Sequence, residues 1–203
     1  MRAMPIDAVV FDIGGVLEVN PPTGWQERWT TRLHLSPVDF EHILADIWGP
    51  GATGAATLDE IERRTAAALG LDDASLIELM NDAWTDYLGT LNREVVNYFV
   101  SLRPRYKTGI LSNSFVGARE REQRAYGFED MCDLIVYSHE LGYLKPQPKT
   151  YEAICACLGV APEKTILLDD TQANVDGARA VGMNAVTFND TRQALADLQA
   201  LLS

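Results

Sequence analysis

The stretch Thr165-Ile-Leu-Leu-Asp-Asp170 is a short apolar run that ends in two adjacent carboxylates, and Asp7-Ala-Val-Val-Phe-Asp12 follows the same pattern near the start of the chain. Between them, Thr108-Gly-Ile-Leu-Ser112 ends in a hydroxyl, and Lys145 lies in a loop rich in Gly and Pro. Short, continuously apolar strands are typical of a parallel sheet that helices cover on both faces. Because ligands of such sheets bind at the carboxyl ends of the strands, we expect these polar groups to meet at one site.

Strand and helix signals alternate through the C-terminal half of the chain. Apolar runs predict strands at 107–111, 134–138, 165–168 and 184–188. Helical periodicity predicts helices near 93–102, 117–126, 149–158, 174–181 and 191–202. Helices that separate short apolar strands indicate parallel connections, so the predicted fold class is α/β with a doubly wound parallel sheet.

The region from about residue 23 to residue 91 differs, because helix follows helix there without strands between them. Ser36 and Thr57 each precede an acid three residues further on, which predicts helix starts. The Gly-rich segment 49–54 is predicted to be a loop, since it lacks the preceding strand and following lysine of a phosphate-binding loop. We therefore expect a core domain made of residues 1–17 and 92–203 and a small helical cap domain made of residues 18–91.

Composition narrows the class of protein. The chain has 203 residues, of which 47% are hydrophobic and 23% charged, so it can bury a sizeable core. Its net charge of −12 is spread along the sequence without a Lys- or Arg-rich run, which disfavours a nucleic-acid partner or an anionic membrane surface. The apolar runs are strand-sized and the N-terminal segment 1–5 lacks the apolar region of a secretion signal, so we expect a cytoplasmic protein.

Cysteine and histidine do not indicate a metal site. The odd set Cys132, Cys155 and Cys157 lacks the spacing of a zinc site, and we expect free thiols. The histidines show no spacing typical of metal ligands and are expected to be exposed or structural; they are His34, His42 and His139.

Four segments resemble the four motifs of the haloacid dehalogenase superfamily, in the same order. They are Val10-Phe-Asp-Ile-Gly-Gly-Val-Leu17, Ile110-Leu-Ser-Asn-Ser114, Gly142-Tyr-Leu-Lys-Pro-Gln-Pro-Lys-Thr-Tyr151 and Ile166-Leu-Leu-Asp-Asp-Thr-Gln-Ala-Asn-Val-Asp-Gly-Ala178. The resemblance covers nearly all of the chain outside the helical insert, which lies where subfamily I carries its small helical cap. The Gly-Gly-Val-Leu form of the first motif is similar to the branch of epoxide-hydrolase-N-terminal-like proteins and sugar-phosphate phosphatases.

The resemblance implies a phosphoric monoester hydrolase. Asp12 would attack a phosphoryl group and form an aspartyl-phosphate, which water would then hydrolyse. The implied cofactor is Mg²⁺, held by Asp12, Asp170 and the backbone carbonyl of Gly14. A ligand set made only of oxygen atoms suits Mg²⁺ better than Zn²⁺.

The same resemblance assigns roles around this centre. Ser112 and the backbone N–H groups around Asn113 and Ser114 would donate to the phosphoryl oxygens, and Lys145 would neutralise both Asp12 and the transferring group. Two further residues would support the metal site indirectly: Asp169 would orient Lys145 or metal-bound water, and Asn174 would steady the site.

Each of these positions also has a structural interpretation. An Asp at a strand end often caps a helix or forms a turn, and Asn174 is as readily the N-cap of the helix that follows. Lys145 in a Gly- and Pro-flanked loop would ordinarily be a solvated surface charge. Two adjacent acids cannot both cap one helix, however, which favours a metal site at Asp169 and Asp170.

Gly14 departs from the family pattern, which places there a second Asp that protonates the leaving group. Loss of such a group typically costs about a hundredfold to ten-thousandfold in rate. One interpretation is a substrate whose leaving group needs little help, such as an anomeric sugar phosphate or an acyl phosphate. A second is that Glu18 substitutes, although we expect Glu18 to be an exposed loop acid. A third is that the protein binds phosphate without catalysing its release.

A 2-haloacid dehalogenase is a further alternative, because those family members also lack the second acid. They need no metal, since halide leaves without protonation and the substrate carries its own carboxylate. Asp169 and Asp170 would place unfavourable negative charge near such a substrate, whereas a phosphatase needs acids to hold Mg²⁺. The sequence therefore favours the phosphatase.

The substrate is expected to be a small phosphorylated metabolite selected by the helical cap. The four tryptophans of the chain all fall in this segment, and we expect most of them to pack between helices, the alternative being the wall of a substrate pocket; they are Trp25, Trp29, Trp48 and Trp84. An apolar face of the cap is where a homodimer would form.

Overall fold

The computed structural model describes residues 5–203, so the predicted absence of a secretion signal falls mostly outside the described residues. Five strands form one parallel sheet in the order β5-β4-β1-β6-β7. Their bounds are β1 (Ala8–Phe11), β4 (Lys107–Ser112), β5 (Leu134–Tyr137), β6 (Thr165–Asp169) and β7 (Asn184–Thr187). The predicted α/β fold class with a doubly wound parallel sheet is therefore confirmed.

The central position of β1 fixes which residues meet at the edge of the sheet. Phe11 at the end of β1 is in register with Ile110 of β4 on one side and with Leu168 of β6 on the other. Asp12, which follows Phe11, therefore lies level with Asp169, one residue beyond Leu168 in β6. Parallel strands thus bring residues more than 150 positions apart to one edge, as expected for an open α/β sheet.

Helices cover both faces of the sheet because alternate strand residues point to opposite sides. Val9 and Phe11 belong to an apolar cluster with α5 (Arg93–Leu102) and α11 (Thr191–Leu202), and the rings of Phe11 and Phe99 lie 4.7 Å apart. Ala8 and Val10 belong to a second cluster with α9 (Pro148–Leu158) and α10 (Gln172–Ala180). Continuous burial on both faces explains why the strands lack a polar alternation.

A helical segment leaves the sheet after β1 and returns before α5. It contains α1 (Trp25–Leu33), α2 (Pro37–Trp48), a 3₁₀ helix (Gly49–Thr53), α3 (Leu58–Leu69) and α4 (Asp73–Leu88). A two-residue antiparallel ribbon joins its two ends, formed by β2 (Glu18–Val19) and β3 (Thr90–Leu91). The segment has its own aromatic core, separate from the two clusters that cover the sheet.

The predicted helix starts in this segment are confirmed. The Ser36 hydroxyl accepts from the backbone N–H of Asp39 at 3.1 Å, and the Thr57 hydroxyl accepts from that of Glu60 at 3.2 Å. Segment 49–54, predicted to be a loop, instead forms a 3₁₀ helix over its first five residues. Its Gly51 packs so closely on Phe115 that a Cβ there would lie 2.5 Å from the ring, which a loop prediction from composition does not anticipate.

The helices and strands predicted in the C-terminal half lie within two residues of their predicted bounds, but several short elements were not predicted. They are β2, β3, α7 (Phe128–Met131), which follows α6 (Ala118–Tyr126), α8 (Ser138–Leu141) and a 3₁₀ helix (Pro162–Lys164). Elements of two to four residues are too short to show a hydrophobic period. Among residues 5–203, no helix combines the length and the apolar character that crossing a membrane requires.

Candidate active site

Lys145 is the centre of the polar edge of the sheet. Its Nζ lies 2.8 Å from Oδ1 of Asp12 and 2.6 Å from Oδ2 of Asp169, and its side chain has no exposed surface. A buried ammonium group is tolerated only when opposite charges surround it. The interpretation of Lys145 as a solvated surface charge is therefore wrong, because Lys145 reaches the acids at the ends of β1 and β6.

Burial and the neighbouring charges both shift the pKa values of Asp12 and Lys145. Burial raises the pKa of Asp12 to about 7, and the nearby Asp169 adds to that rise while Lys145 opposes it. Burial disfavours the ammonium of Lys145, but the carboxylates of Asp12 and Asp169 outweigh burial and raise its pKa. Lys145 therefore stays protonated and stabilises the ionised form of Asp12.

Asp169 is completely buried and holds this arrangement together. Its Oδ1 accepts from the backbone N–H of Thr171 at 2.9 Å and from Nδ2 of Asn174 at 3.0 Å, while Oδ2 accepts from Lys145. Thr171 is the N-cap of α10, so the interpretation of Asn174 as that N-cap is wrong. Asn174 lies inside the helix, where its side chain fixes the orientation of the Asp169 carboxylate.

Asp170 completes a set of three carboxylates. One carboxylate oxygen from each of Asp12, Asp169 and Asp170 lies within 4.8 Å of the other two. Asp170 is exposed, and Gly15 makes room for it: with φ of 75°, a Cβ on Gly15 would lie 2.2 Å from Oδ2 of Asp170. Three hard oxygen donors that converge from two strands suit a divalent cation such as Mg²⁺.

Gly14 lies in open surroundings. A Cβ there would meet only Oδ1 of Asn20, at 4.0 Å, and its φ is not in the left-handed region. The position would therefore accommodate a larger residue, and the absence of an acid here is not imposed by lack of space.

The loop after β4 uses its polar groups differently from the expectation. Asn113 binds the backbone of Lys145 through both ends of its side-chain amide, at 2.7 Å and 2.9 Å. The N–H of Ser114 donates to the Ser138 hydroxyl at 2.9 Å, so it is not free to bind a phosphoryl oxygen as predicted. The Ser114 hydroxyl binds Nδ1 of His139 at 2.7 Å, which gives that histidine a structural partner. Ser112 is buried at the end of β4.

A cavity of about 280 Å³ lies beside Ser112, and we call it the inner cavity. It is lined by Gly14, Glu18, Ser112, Asn113, Glu122 and their neighbours, among them Asp86 and Tyr87. Glu18 has only 1% of its surface exposed, so the expectation of an exposed loop acid is wrong. Its backbone N–H donates to the carbonyl of Ile13 at 2.9 Å, which holds Glu18 close to the end of β1.

Glu122 is a site residue that no local sequence pattern predicts. It lies in α6, whose sequence AREREQRAY carries charges on all sides and so gives no apolar stripe from which burial could be predicted. The residue is nevertheless fully buried, and the Tyr137 hydroxyl donates to its Oε2 at 2.5 Å. Burial raises the pKa of Glu122 to about 7, against the hydrogen bond from Tyr137, and raises the pKa of Glu18 to about 9 with a contribution from Glu122.

A second cavity, of about 290 Å³, adjoins the first and shares Asp86, Tyr87 and Asn113 with it. We call it the aromatic cavity, because its walls include three tryptophans and a phenylalanine: Trp25, Trp48, Trp84 and Phe115. The fourth tryptophan, Trp29, packs in the core of the helical segment and donates to Asp82 at 2.9 Å. The other three tryptophans therefore pack between helices and also line a cavity.

Comparison with known proteins agrees with this architecture. A solved enzyme of the HAD family from Bacteroides thetaiotaomicron, crystallised with magnesium and inorganic phosphate, superposes with a TM-score of 0.79 at 20% identity, over 94% of this chain and 98% of that one. Phosphatase MT3486 of Mycobacterium tuberculosis (strain CDC 1551 / Oshkosh) is 30% identical over 94% of this chain and 90% of its own length. Bifunctional epoxide hydrolase 2 of Rattus norvegicus is 26% identical over 97% of this chain but only 39% of its own length.

The family model for the haloacid dehalogenase-like hydrolases matches residues 6–182, which include the three clustered carboxylates, the Lys145 loop and the helical segment. The similarity to a named phosphatase extends over nearly the whole chain and supports phosphatase activity. The chain belongs to the haloacid dehalogenase-like hydrolases, as its four motifs predict.

Proposed function

We propose that this protein is a Mg²⁺-dependent phosphatase that hydrolyses a small phosphorylated metabolite through an aspartyl-phosphate on Asp12. The observation that carries the proposal is the buried Lys145, which contacts both Asp12 and Asp169 beside the exposed carboxylate of Asp170. Burying charged groups together is costly, and such clusters with shifted pKa values concentrate at functional sites.

Asp12 is suited to act as the nucleophile. Its Oδ1 accepts from the N–H of Ile13 and contacts Lys145, both at 2.8 Å, whereas Oδ2 has no protein partner among the described residues. The carboxylate attacks phosphorus as the bond from phosphorus to the leaving oxygen breaks, which gives an acyl phosphate. Water then attacks that phosphorus, releases inorganic phosphate and regenerates Asp12.

The residues present fit a magnesium ion. The donors are all oxygen, they lie within 4.8 Å of one another, and Asp170 is exposed. Asp12, Asp170 and the carbonyl of Gly14 would hold the ion, with Asp169 behind them orienting Lys145. When bound, Mg²⁺ would offset the repulsion between the anionic nucleophile and the anionic ester. Lys145 contributes a second positive charge at the same place, and Ser112 supplies a hydroxyl for a phosphoryl oxygen.

Gly14 shapes the choice of substrate in this proposal. No side chain at that position protonates the leaving oxygen, so substrates whose leaving groups need little help are favoured. Residues 1–17 and 92–203 would form the catalytic core, and residues 18–91 would act as the cap that selects the leaving group. The two cavities lie where these two parts meet.

The test is phosphate release from 4-nitrophenyl phosphate with and without Mg²⁺, in the native protein and in Asp12→Asn. Turnover that requires Mg²⁺ and is lost in Asp12→Asn supports the proposal. Binding of Mg²⁺ and inorganic phosphate without release from a broad panel of esters would instead indicate a non-catalytic phosphate-binding protein. Halide release from a 2-haloacid in the presence of a chelator would indicate a dehalogenase.

A further inference from the structure

Asp86 lines both the inner cavity and the aromatic cavity, and no cationic side chain among residues 5–203 forms an ion pair with it. Its Oδ1 accepts from the N–H of Thr23 at 3.0 Å and from the Thr23 hydroxyl at 2.7 Å. Its Oδ2 has no protein partner among the described residues and is not fully buried, so a ligand can reach it. Asp82, one turn earlier in α4, instead pairs with Arg28 at 3.3 Å. The carboxylate that lines the cavities is thus the one without a counterion.

The negative charge of the cavity walls resides mainly on Asp86. Neither wall includes a Lys or an Arg. Burial raises the pKa values of Glu18 and Glu122, to about 9 and about 7, and so reduces their negative charge at neutral pH. Asp86 is half-buried, and an aspartate with exposed surface is ionised at neutral pH. A positively charged group of a ligand would therefore find one accessible partner here.

The rings of the aromatic cavity also favour a cation. Trp25 and Trp48 stack with an interplanar angle of 8°, and Phe115 lies 5.8 Å from the rings of both Trp48 and Trp84. Aromatic rings attract cations electrostatically, and walls of several rings are the usual recognition site for alkylammonium groups. The carbon atoms that surround such a cation also suit apolar walls. A hard anion would find neither a donor charge nor a counterion at these rings.

Trp84 already binds a cation on the side away from the cavity. The guanidinium of Arg121 lies over its ring at 4.0 Å, outside both cavity linings, and donates to the carbonyl of Gly117. Arg121 also feels the negative charge of Glu62. We therefore expect a ligand cation to contact the other rings of the cavity and Asp86.

Gly14 gives an independent reason for a positive charge in the leaving group. The position carries no acid, so no side chain there protonates the departing oxygen. A cation close to that oxygen stabilises the alkoxide as it forms, because opposite charges favour the ionised state. An alcohol that carries its own ammonium group therefore needs less protonation than a neutral alkyl alcohol.

From these observations we infer that the substrate is the phosphomonoester of an alcohol that carries an alkylammonium group. The ammonium group lies in the aromatic cavity beside Asp86, and the ester oxygen lies in the inner cavity beside Gly14 and Ser112. The inference rests on the proposed phosphatase function and names its substrate class. Asp86 is a residue that determines specificity and takes no part in the chemical step.

Two esters of the same shape test this inference: choline phosphate and 3,3-dimethylbutyl phosphate, in which carbon replaces the charged nitrogen. Their affinities for Asp12→Asn with Mg²⁺, measured by calorimetry, should differ about tenfold in favour of choline phosphate. Binding is the readout because the charge also changes the leaving group. Tryptophan fluorescence of the native protein titrated with choline and with 3,3-dimethylbutan-1-ol gives the same comparison without a phosphate.

Two variants assign the preference to the named side chains. Asp86→Asn keeps the size of the residue and an acceptor for Thr23 but removes the charge, and Phe115→Leu removes a ring but keeps an apolar wall. Each should weaken binding of choline and choline phosphate about three- to tenfold and leave the neutral analogues within about twofold. Asp82→Asn is the matched control, because Asp82 lies outside both cavities on the same helix.

Equal affinity for the charged and neutral analogues, or tighter binding of the neutral one, would overturn the inference. The same holds if Asp86→Asn weakens both analogues equally. Turnover of 4-nitrophenyl phosphate separates this failure from failure of the proposed function. If that ester is hydrolysed and the charge preference is absent, only the substrate class is wrong; if choline binds selectively and no ester is hydrolysed, the cation site stands and the phosphatase function fails.

Discussion

Asn113 and Lys145 are joined by two hydrogen bonds: Oδ1 of Asn113 accepts from the N–H of Lys145 at 2.7 Å, and Nδ2 donates to its carbonyl at 2.9 Å. The loop that carries Lys145 has no strand partner of its own at this point. One side chain after β4 therefore fixes the backbone from which Lys145 reaches Asp12 and Asp169.

Removing the Asn113 side chain should lower activity by more than the accompanying loss of stability explains. We expect Asn113→Ala to reduce kcat about 10–100-fold, the usual effect of removing a group that orients a catalytic residue. Asn184→Ala is the matched control, since Asn184 also donates to a backbone carbonyl, that of Glu163 at 3.0 Å, far from the site. Steady-state kinetics and urea unfolding should show similar losses of stability in both variants but a loss of kcat only in the first.

Gly15 is predicted to be essential for the position of Asp170. Gly15→Ala would place a Cβ 2.2 Å from Oδ2 of Asp170, so the carboxylate must move and Mg²⁺ should bind at least tenfold more weakly. Gly70→Ala has nearly the same positive φ, 64°, but no atom within 4 Å, so it reproduces the backbone strain alone. Mg²⁺ titrations measure the affinity of both variants for the ion, and equal affinities would contradict the prediction.

Gly14→Asp tests the proposed consequence of lacking an acid two residues after Asp12, the proposed nucleophile. The site has room for the side chain, so we expect the variant to fold and to accelerate hydrolysis of unactivated alkyl phosphates, by up to about a hundredfold to ten-thousandfold. Aryl phosphates should gain much less, because their leaving groups need little protonation. Gly14→Asn provides a control of similar size without the acid. A uniform change for both substrate classes would count against the interpretation of Gly14.

Glu122 should make stability fall as pH rises. Its pKa is raised from 4.5 to about 7 in the folded protein, so between these values the unfolded state loses its proton first. Ionisation therefore favours unfolding across that window, by an amount on the order of a few kcal/mol. Glu122→Gln removes this contribution. Urea unfolding at pH 5 and pH 8 should show a smaller loss of stability in the variant, and an unchanged difference would rule out this role for Glu122.

The site residues at the strand ends could be predicted from the sequence alone. Asp12, Ser112 and Asp169 end apolar runs, and parallel strands place such ends at one edge whatever the rest of the chain does. Lys145 needed the family resemblance, because a loop lysine followed by prolines gives no signal of burial. Asn113 was identified as a polar residue beside the phosphate, but its contact with the Lys145 backbone depends on a loop path that no local pattern specifies.

The burial of the acids of the inner cavity could not be predicted from local sequence patterns. Glu18 was expected to be exposed and is buried, and Glu122 lies on a helix with charges all round, yet both meet at the cavity beside Gly14. Both line the same cavity although they lie far apart in the sequence. Contacts between segments a hundred residues apart decide it, and hydrophobic periodicity carries no information about such contacts.

The amino-acid sequence by itself determined the α/β class, the order of strands and helices, and the gathering of carboxylates at one sheet edge, since apolar runs and helical periods act over a few residues. Only the tertiary structure decided that Lys145 is buried and that the missing side chain of Gly15 leaves room for Asp170. It also decided that Glu18, Glu122 and Trp84 line adjoining cavities. Those outcomes depend on desolvation and on distances between remote segments, which exist only once the chain has folded.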